Sequence, residues 1–240
     1  MSWLKSGFNN VAEEGERRDS EFKIPELWLT LGKEKKIMFL DHSPACVHTH
    51  MAKIHGEWKT FTCLADTGSE DVPCCEILGS KKRQFVGYFT VVDLSTYTDK
   101  KGDERKNEIK LFPAKFKTLK LIQEVLAEQG SLMGKVIKLK RLEEKSPASG
   151  DYVAYVGDQA IPDDINYRQK LVKDLAKEPD KWEKQIVLPK TGKGYPLVNY
   201  MEVLAPRSPK EIRAMLRGYK PTDFNGKTTE TKQQDDDIPF

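Results

Sequence analysis

Histidine and cysteine are scarce in this chain, four of each among 240 residues, and neither occurs outside one stretch. His42, Cys46, His48, His50, His55, Cys63, Cys74 and Cys75 all lie between His42 and Glu76. Elsewhere the chain has no imidazole to act as a general base and no thiol to act as a nucleophile. A glycine-rich phosphate loop is missing too: Gly192-Lys193-Gly194 is too short and lacks the strand-loop-helix frame. The acidic pairs Glu143-Glu144 and Asp163-Asp164 are neighbours in sequence, so their carboxylates diverge. No catalytic set stands out, and the chain is expected not to be an enzyme. No apolar run approaches the ~20 residues a membrane span needs. Met1-Ser2-Trp3-Leu4-Lys5 is not followed by the apolar region of a secretory leader. Cysteines set among histidines in such a chain read as metal ligands or reduced thiols rather than disulfides, which places the protein in the cytoplasm.

Apolar residues are also few, 38% of the chain against 32% charged. A core fits within this length, but much of the chain must be surface, loop or tail. The net charge of +3 is unevenly placed: residues 221–240 hold five acids against two lysines, net −3, which leaves +6 on the first 220. A basic body with an acidic tail is the polarity of a nucleic-acid binder whose tail addresses proteins, although ordinary solubility accounts for the net value as well.

The strand signals bracket the His/Cys stretch. Ile37–Asp41 is a short apolar strand, and Phe85–Asp93 is a longer one rich in aromatic and β-branched residues. Gly87 inside the second predicts a bulge or strong curvature. Trp58–Leu64 alternates with a period of two, as does Lys135–Leu142, and Asp151–Val156 is a strand with Tyr152 and Tyr155. Asn107–Phe112 is a further strand, expected to end at Pro113. Ala114–Glu128 is an amphipathic helix with the stripe Leu119, Ile122, Val125 and Leu126, ended by Gly130. Short helices are expected at Phe8–Arg18 and Asn166–Lys177, and Leu197–Leu204 as a strand or extended arm. Ser208-Pro209-Lys210-Glu211 is a capping box that opens a helix to Arg217. From Pro221 onward apolar residues are too few to order the chain. The expected class is mainly β with α: an OB-like five-stranded barrel with a bridging helix. The expected organisation is a flexible segment 1–20, a core 21–157 with an insert 42–80, an extension 158–220 and a disordered acidic tail 221–240.

The final residues, Asp235-Asp236-Asp237-Ile238-Pro239-Phe240, resemble the tip of bacterial single-stranded-DNA-binding proteins, residue for residue. That resemblance implies a docking peptide for polymerase, helicase or recombination factors. Phe240 would offer a ring and a carboxylate together, Pro239 would stiffen the approach, and the aspartates would add long-range attraction. His50, Cys63 and Cys75, lying between predicted strands, resemble the zinc insert of phage replicative single-stranded-DNA-binding proteins. Phe39-Leu40-Asp41, Gly56-x-Trp58, Thr62-Cys63, Pro73-x-Cys75-Glu76 and Pro206-Arg207-Ser208 extend the likeness to tailed-phage members of that family over about residues 20–217. The family pattern has a Cys-Pro-x-Cys pair where this chain has Val72 followed by Pro73, Cys74 and Cys75. The fourth ligand is therefore Cys74, Cys46 or His48, unless the site is a relic held by packing. The implied cofactor is one structural Zn²⁺ held by His50, Cys63, Cys74 and Cys75, with no organic cofactor.

Single strands are held by rings that stack on bases and cations that track phosphates. Candidate rings are Trp58, Phe61, Tyr88, Phe89, Tyr152 and Tyr155; candidate cations are Lys59, Lys81, Lys82, Arg83, Lys115, Lys117, Lys138, Lys140 and Arg141. Alternation defines two faces without saying which is wet, so about half of these should prove to be core. The resemblance implies a protein that binds and protects single-stranded DNA during phage replication, recombination and repair, in the cytoplasm of an infected bacterium. The expected partners are single-stranded DNA and replication proteins, not a membrane, with self-association as a further interaction to test. A rival reading is a metal-dependent nuclease with a catalytic Cys/His insert; a zinc-ribbon regulator that binds duplex is a third.

Overall fold

The computed structural model describes residues 25–54, 56–98, 102, 104–159, 182–187 and 194–219. The segment 1–20, the helices expected at Phe8–Arg18 and Asn166–Lys177, His55 and the tail 221–240 with its tip Asp235–Phe240 lie outside the described residues. The described chain is mainly β with few helices. In order the strands are β1 (Glu34–Phe39), β2 (Ala45–Ile54), β3 (Glu57–Thr62), β4 (Gln84–Asp93), β5 (Tyr97–Thr98), β6 (Glu104–Arg105), β7 (Glu108–Lys115), β8 (Lys135–Lys140), β9 (Tyr152–Asp158), β10 (Trp182–Val187) and β11 (Gly194–Val198). The helices are α1 (Pro73–Leu78), α2 (Phe116–Gln129), α3 (Tyr200–Val203) and α4 (Pro209–Met215). Contacts gather these into two units, one within Met1–Val47 and Phe85–Ala205, the other within His48–Gln84 and Pro206–Phe240.

In the first unit an antiparallel sheet runs β7-β4-β1-β8-β9. Its register aligns Phe89 with Phe112, Ile37 with Asp93 and Ile137, and Leu139 with Val153. One face carries Ile37, Phe39, Phe89, Val91, Phe112, Ile137 and Leu139, all buried against Ile122 and Val125 of α2. Leu119 and Leu126 complete the stripe expected of that helix. Gly130 ends α2 in the left-handed region at φ 71°, and its N–H donates to the Leu126 carbonyl. Among the described residues no strand pairing joins β9 back to β7, so the sheet is not shown closed into a barrel.

Three local expectations need correction. Pro113 does not end its strand, for β7 continues to Lys115 and Pro113 pairs with Tyr88. The Leu111 N–H points away from β4, to the Pro25 carbonyl at 2.9 Å, and two residues on the Pro113 nitrogen points the same way. No ladder bond to β4 is lost. Gly87 sits in an unbroken register opposite Ala114, so it makes no bulge. Its role is close approach: a Cβ there would lie 2.6 Å from Leu119 Cδ2 and 3.0 Å from Pro44 Cβ. Gly87→Val is expected to overpack this contact and cost about 1–3 kcal/mol, read from the midpoint of a urea unfolding curve. Leu197–Leu204 is not one strand: it divides between the end of β11 and α3.

In the second unit β2 and β3 form a hairpin with Ile54 opposite Glu57 and His50 opposite Phe61. Gly56, at φ 84°, takes the turn conformation that favours glycine. The alternation expected for Trp58–Leu64 holds through Thr62. A core of Ala52, Ile54, Phe61, Leu64, Leu78, Ile212 and Leu216 joins the hairpin to α1 and α4. The capping box at Ser208 is present in both directions: the Ser208 hydroxyl accepts from Glu211 N–H, and Glu211 Oε2 accepts from Ser208 N–H at 2.9 Å.

Candidate metal centre

His50 is carried by β2, on the face that buries Ala52 and Ile54, and Cys63 follows the end of β3. Both therefore point into the core of the second unit. Pro73 occupies the first helical position of α1, where its missing N–H costs nothing. Cys74 and Cys75 follow in the same first turn. Two adjacent cysteines diverge along a strand, but at a helix start both can reach a point beyond the end of the helix. Cys63 Sγ lies 3.4 Å from Cys75 Sγ and 3.9 Å from Cys74 Sγ, and Cys75 Sγ lies 3.4 Å from His50 Nε2. All four donor atoms fall within 4.8 Å of one another.

The three shortest of these spacings are close to what a tetrahedral ion needs. Zn–S bonds of about 2.3 Å and Zn–N bonds of about 2.0 Å imply donor–donor edges of roughly 3.5–3.8 Å. The donor set, three thiols and one imidazole, is a zinc set. The buried group could thus hold a metal ion such as zinc. Of the three candidates for a fourth ligand, Cys74 is the one in the group. Cys46 is exposed, and His48 Nδ1 meets Asp66 Oδ2 at 2.6 Å.

The surroundings suit the charge such an ion would leave. Burial pushes the Cys75 thiol up to about 12, with Cys63 beside it adding to the shift, and burial also raises Cys74. Without a cation these thiols stay protonated at neutral pH; zinc would supply the charge that ionises them. Burial, then the nearby Arg83, lowers the pKa of His50 and favours the neutral imidazole a metal requires. The neighbouring Cys63 raises the pKa of Arg83, and its guanidinium donates to Asp66 Oδ1 at 3.0 Å. Three thiolates around Zn²⁺ carry net −1, which this guanidinium offsets. The Leu64 N–H donates to Cys74 Sγ at 3.5 Å. Among the described residues His50 Nδ1 is buried with no hydrogen-bond partner.

The residues expected to touch nucleic acid separate by face. Trp58 is 51% exposed and stands opposite Lys53 on the outer face of the hairpin, while alternation turns Phe61 inward to stack on His50. Phe61 is therefore core, not a platform. Tyr88 and Phe89 are buried as well: Tyr88 packs with Leu111 and Val198, and Phe89 with Phe39 and Phe112. Neither has an open ring face for a base. Tyr155, opposite Ile137, lies against the core side, with its hydroxyl donating to Asp158 at 2.6 Å. Tyr152, an odd number of residues away, faces outward and is 42% exposed. Lys140 is paired with it, Lys138 is two residues along, and Lys36 stands opposite Lys138.

The remaining cations are less uniform. Lys81, Lys82 and Lys117 are exposed, and Lys117 lies 3.8 Å from Asp151. Lys59 bonds Glu57 at 2.7 Å, and the Arg141 guanidinium bonds the Glu144 carbonyl. Lys115 is half-buried, and burial followed by the charge of Arg141 lowers its pKa. Sequence reasoning missed Lys36 and Lys53. That Lys53 stands opposite Trp58, and that Lys36 shares a face with Tyr152, depends on strand register, which no local pattern announces. No helix among the described residues is long and apolar enough to cross a membrane. No protein-family model matches the chain, and a search of curated proteins finds no match.

Proposed function

We propose that this chain binds and protects single-stranded DNA without sequence preference, as a phage-type replicative protein with an OB-like core. One observation carries the reading: strand register gathers Lys36, Lys138, Lys140 and Tyr152 on one face of β1, β8 and β9. The other face of the same strands is filled by α2 and its core. An open ring among lysines is the arrangement that unpaired nucleotides use, because every base has a π-face and every nucleotide a phosphate. Glu34, 3.2 Å from Lys138, keeps that lysine extended across the face until a phosphate replaces it.

In this reading zinc on His50, Cys63, Cys74 and Cys75 is structural, a staple for a unit with a small core of its own. The acidic tip Asp235–Phe240 would recruit polymerase, helicase or recombination factors; this part rests on the sequence resemblance alone. The protein would act by capture, melting hairpins and shielding strands from nucleases, with no bond made or broken.

Fluorescence titration with oligo-dT of stepped length tests this. Wild-type protein should bind with a footprint of several nucleotides and a steep loss of affinity with salt. Tyr152→Ala should weaken binding by about 1–3 kcal/mol without shifting the melting temperature. A Tyr152→Ala protein that binds as tightly as wild type would remove this face from the account.

A further inference from the structure

Within the second unit, Asp71 and α4 enclose an open cavity of about 400 Å³ lined by Asp71, Lys210, Arg213, Ala214 and Arg217. Three of its five lining residues are cations, spaced along one face at positions i, i+3 and i+7. They are not equivalent. Arg213 is already committed, with its guanidinium 2.5 Å from Asp71 Oδ1 and 3.1 Å from Glu76 Oε2. Lys210 and Arg217 are exposed, and among the described residues neither side chain makes a hydrogen bond or ion pair. The cleft therefore presents two open positive charges, one at each end of a neutralised centre.

That layout selects the shape of its ligand. Lys210 stands in the first turn of α4 and Arg217 in the turn that continues it past Met215; at the helical rise their backbones are about 10 Å apart, a wide span for one small anion. The Asp71 carboxylate between the ends would also repel an ion seated at the middle. A chain of phosphates meets both ends and can pass the centre. The lining has no aromatic or branched apolar side chain, so an acidic peptide would find charge here but no anchor for an apolar residue. We infer that Lys210 and Arg217 form a second contact site for the nucleic-acid backbone, one that holds phosphodiesters and reads no bases.

The inference rests on the single-stranded-DNA reading above and adds residues to it. Its test is oligo-dT binding by the full zinc-loaded chain as a function of salt, for wild type, Lys210→Ala/Arg217→Ala, and the charge-matched control Lys33→Ala/Lys145→Ala. Both pairs are exposed, so folding should be unaffected, with melting curves as the check. The cleft variant should bind about tenfold more weakly near 0.1 M salt. Its slope of log K against log[salt] should be shallower by about 1.4, or about 0.7 per lost phosphate contact. The control should keep the wild-type slope. If wild type binds oligo-dT and the cleft variant matches it, or the control falls equally, the cleft assignment is overturned and the functional reading stands. If wild type ignores oligo-dT, both are overturned. If wild type ignores oligo-dT but binds an acidic peptide of the chain's last residues, and the cleft variant does not, the ligand is peptide and the assignment to nucleic acid is wrong.

Discussion

Zinc titrated into the reduced, metal-free chain is expected to saturate at one ion per molecule and to raise its melting temperature, and Cys63→Ser is expected to abolish both effects. The reasoning is geometric. Cys63 Sγ is within 3.9 Å of both other cluster sulfurs, so its loss removes the shared corner of the site. The second unit has little else to hold it: α1 is a six-residue helix, and the core beneath it is small. Structural zinc contributes about 10–16 kcal/mol of apparent binding free energy in small domains, far more than any single side chain here. Chelation should therefore expose the amides of β2, β3 and α1 to hydrogen exchange while those of β4 and β7 stay protected. Cys46→Ser is the control: Cys46 is exposed and outside the group, so its stoichiometry should remain one. Zinc binding that survived Cys63→Ser, or vanished with Cys46→Ser, would place the site elsewhere.

Lys110→Met should be the most damaging single change in the first unit, costing about 3–5 kcal/mol in denaturant unfolding. Lys110 is buried between two carboxylates that are each 1% exposed, 2.8 Å from Asp93 Oδ2 and 3.3 Å from Glu108 Oε2. Lys35 also reaches Asp93 at 2.8 Å, and the Tyr97 hydroxyl donates to Glu108 at 2.7 Å. Removing the ammonium takes from two buried carboxylates the cation they share. Methionine keeps the volume, so the loss reads charge rather than a cavity. Burial alone would raise the Asp93 pKa, but Lys110 and Lys35 outweigh it and hold the carboxyl below its usual range. A lowered folded-state pKa contributes stability above the unfolded value near 4 and loses it as pH falls through the folded value. The gap between wild type and Lys110→Met should accordingly be widest at neutral pH and narrow below about pH 4. A constant gap from pH 7 to pH 3 would show that Asp93 is not the group responsible.

The sequence carried the regular parts of this fold well and the irregular ones poorly, for identifiable reasons. The helix stripe from Leu119 to Leu126, its stop at Gly130 and the Ser208 box are local signals, and each appears where expected. β4 was legible as a run of aromatic and β-branched residues, and β8 from apolar residues set among lysines. β2 was not, although Ala45–Ile54 is among the longest strands. Its period of two is written in His48, His50, Ala52 and Ile54, and histidines there read as ligands before they read as a strand face. α1 was hidden by its own composition, since Pro73 and two cysteines are poor helix formers away from a first turn. The metal group itself was legible from residue type and spacing. The fourth ligand was not, because the choice between Cys74, Cys46 and His48 depends on direction in space. Alternation divided the rings of β3 and β9, Trp58 and Tyr152 outward and Phe61 and Tyr155 inward, but not those of β4, where both faces are covered and adjacent Tyr88 and Phe89 are both buried.

Competition between labelled oligo-dT and unlabelled duplex of matched length, with the zinc-loaded chain in magnesium buffer, tests the central claim most directly. The account predicts that the single strand stays bound against a large excess of duplex and is recovered at full length. Displacement of the single strand by duplex, no binding to either, or cleavage of the strand once magnesium or manganese is present would contradict it.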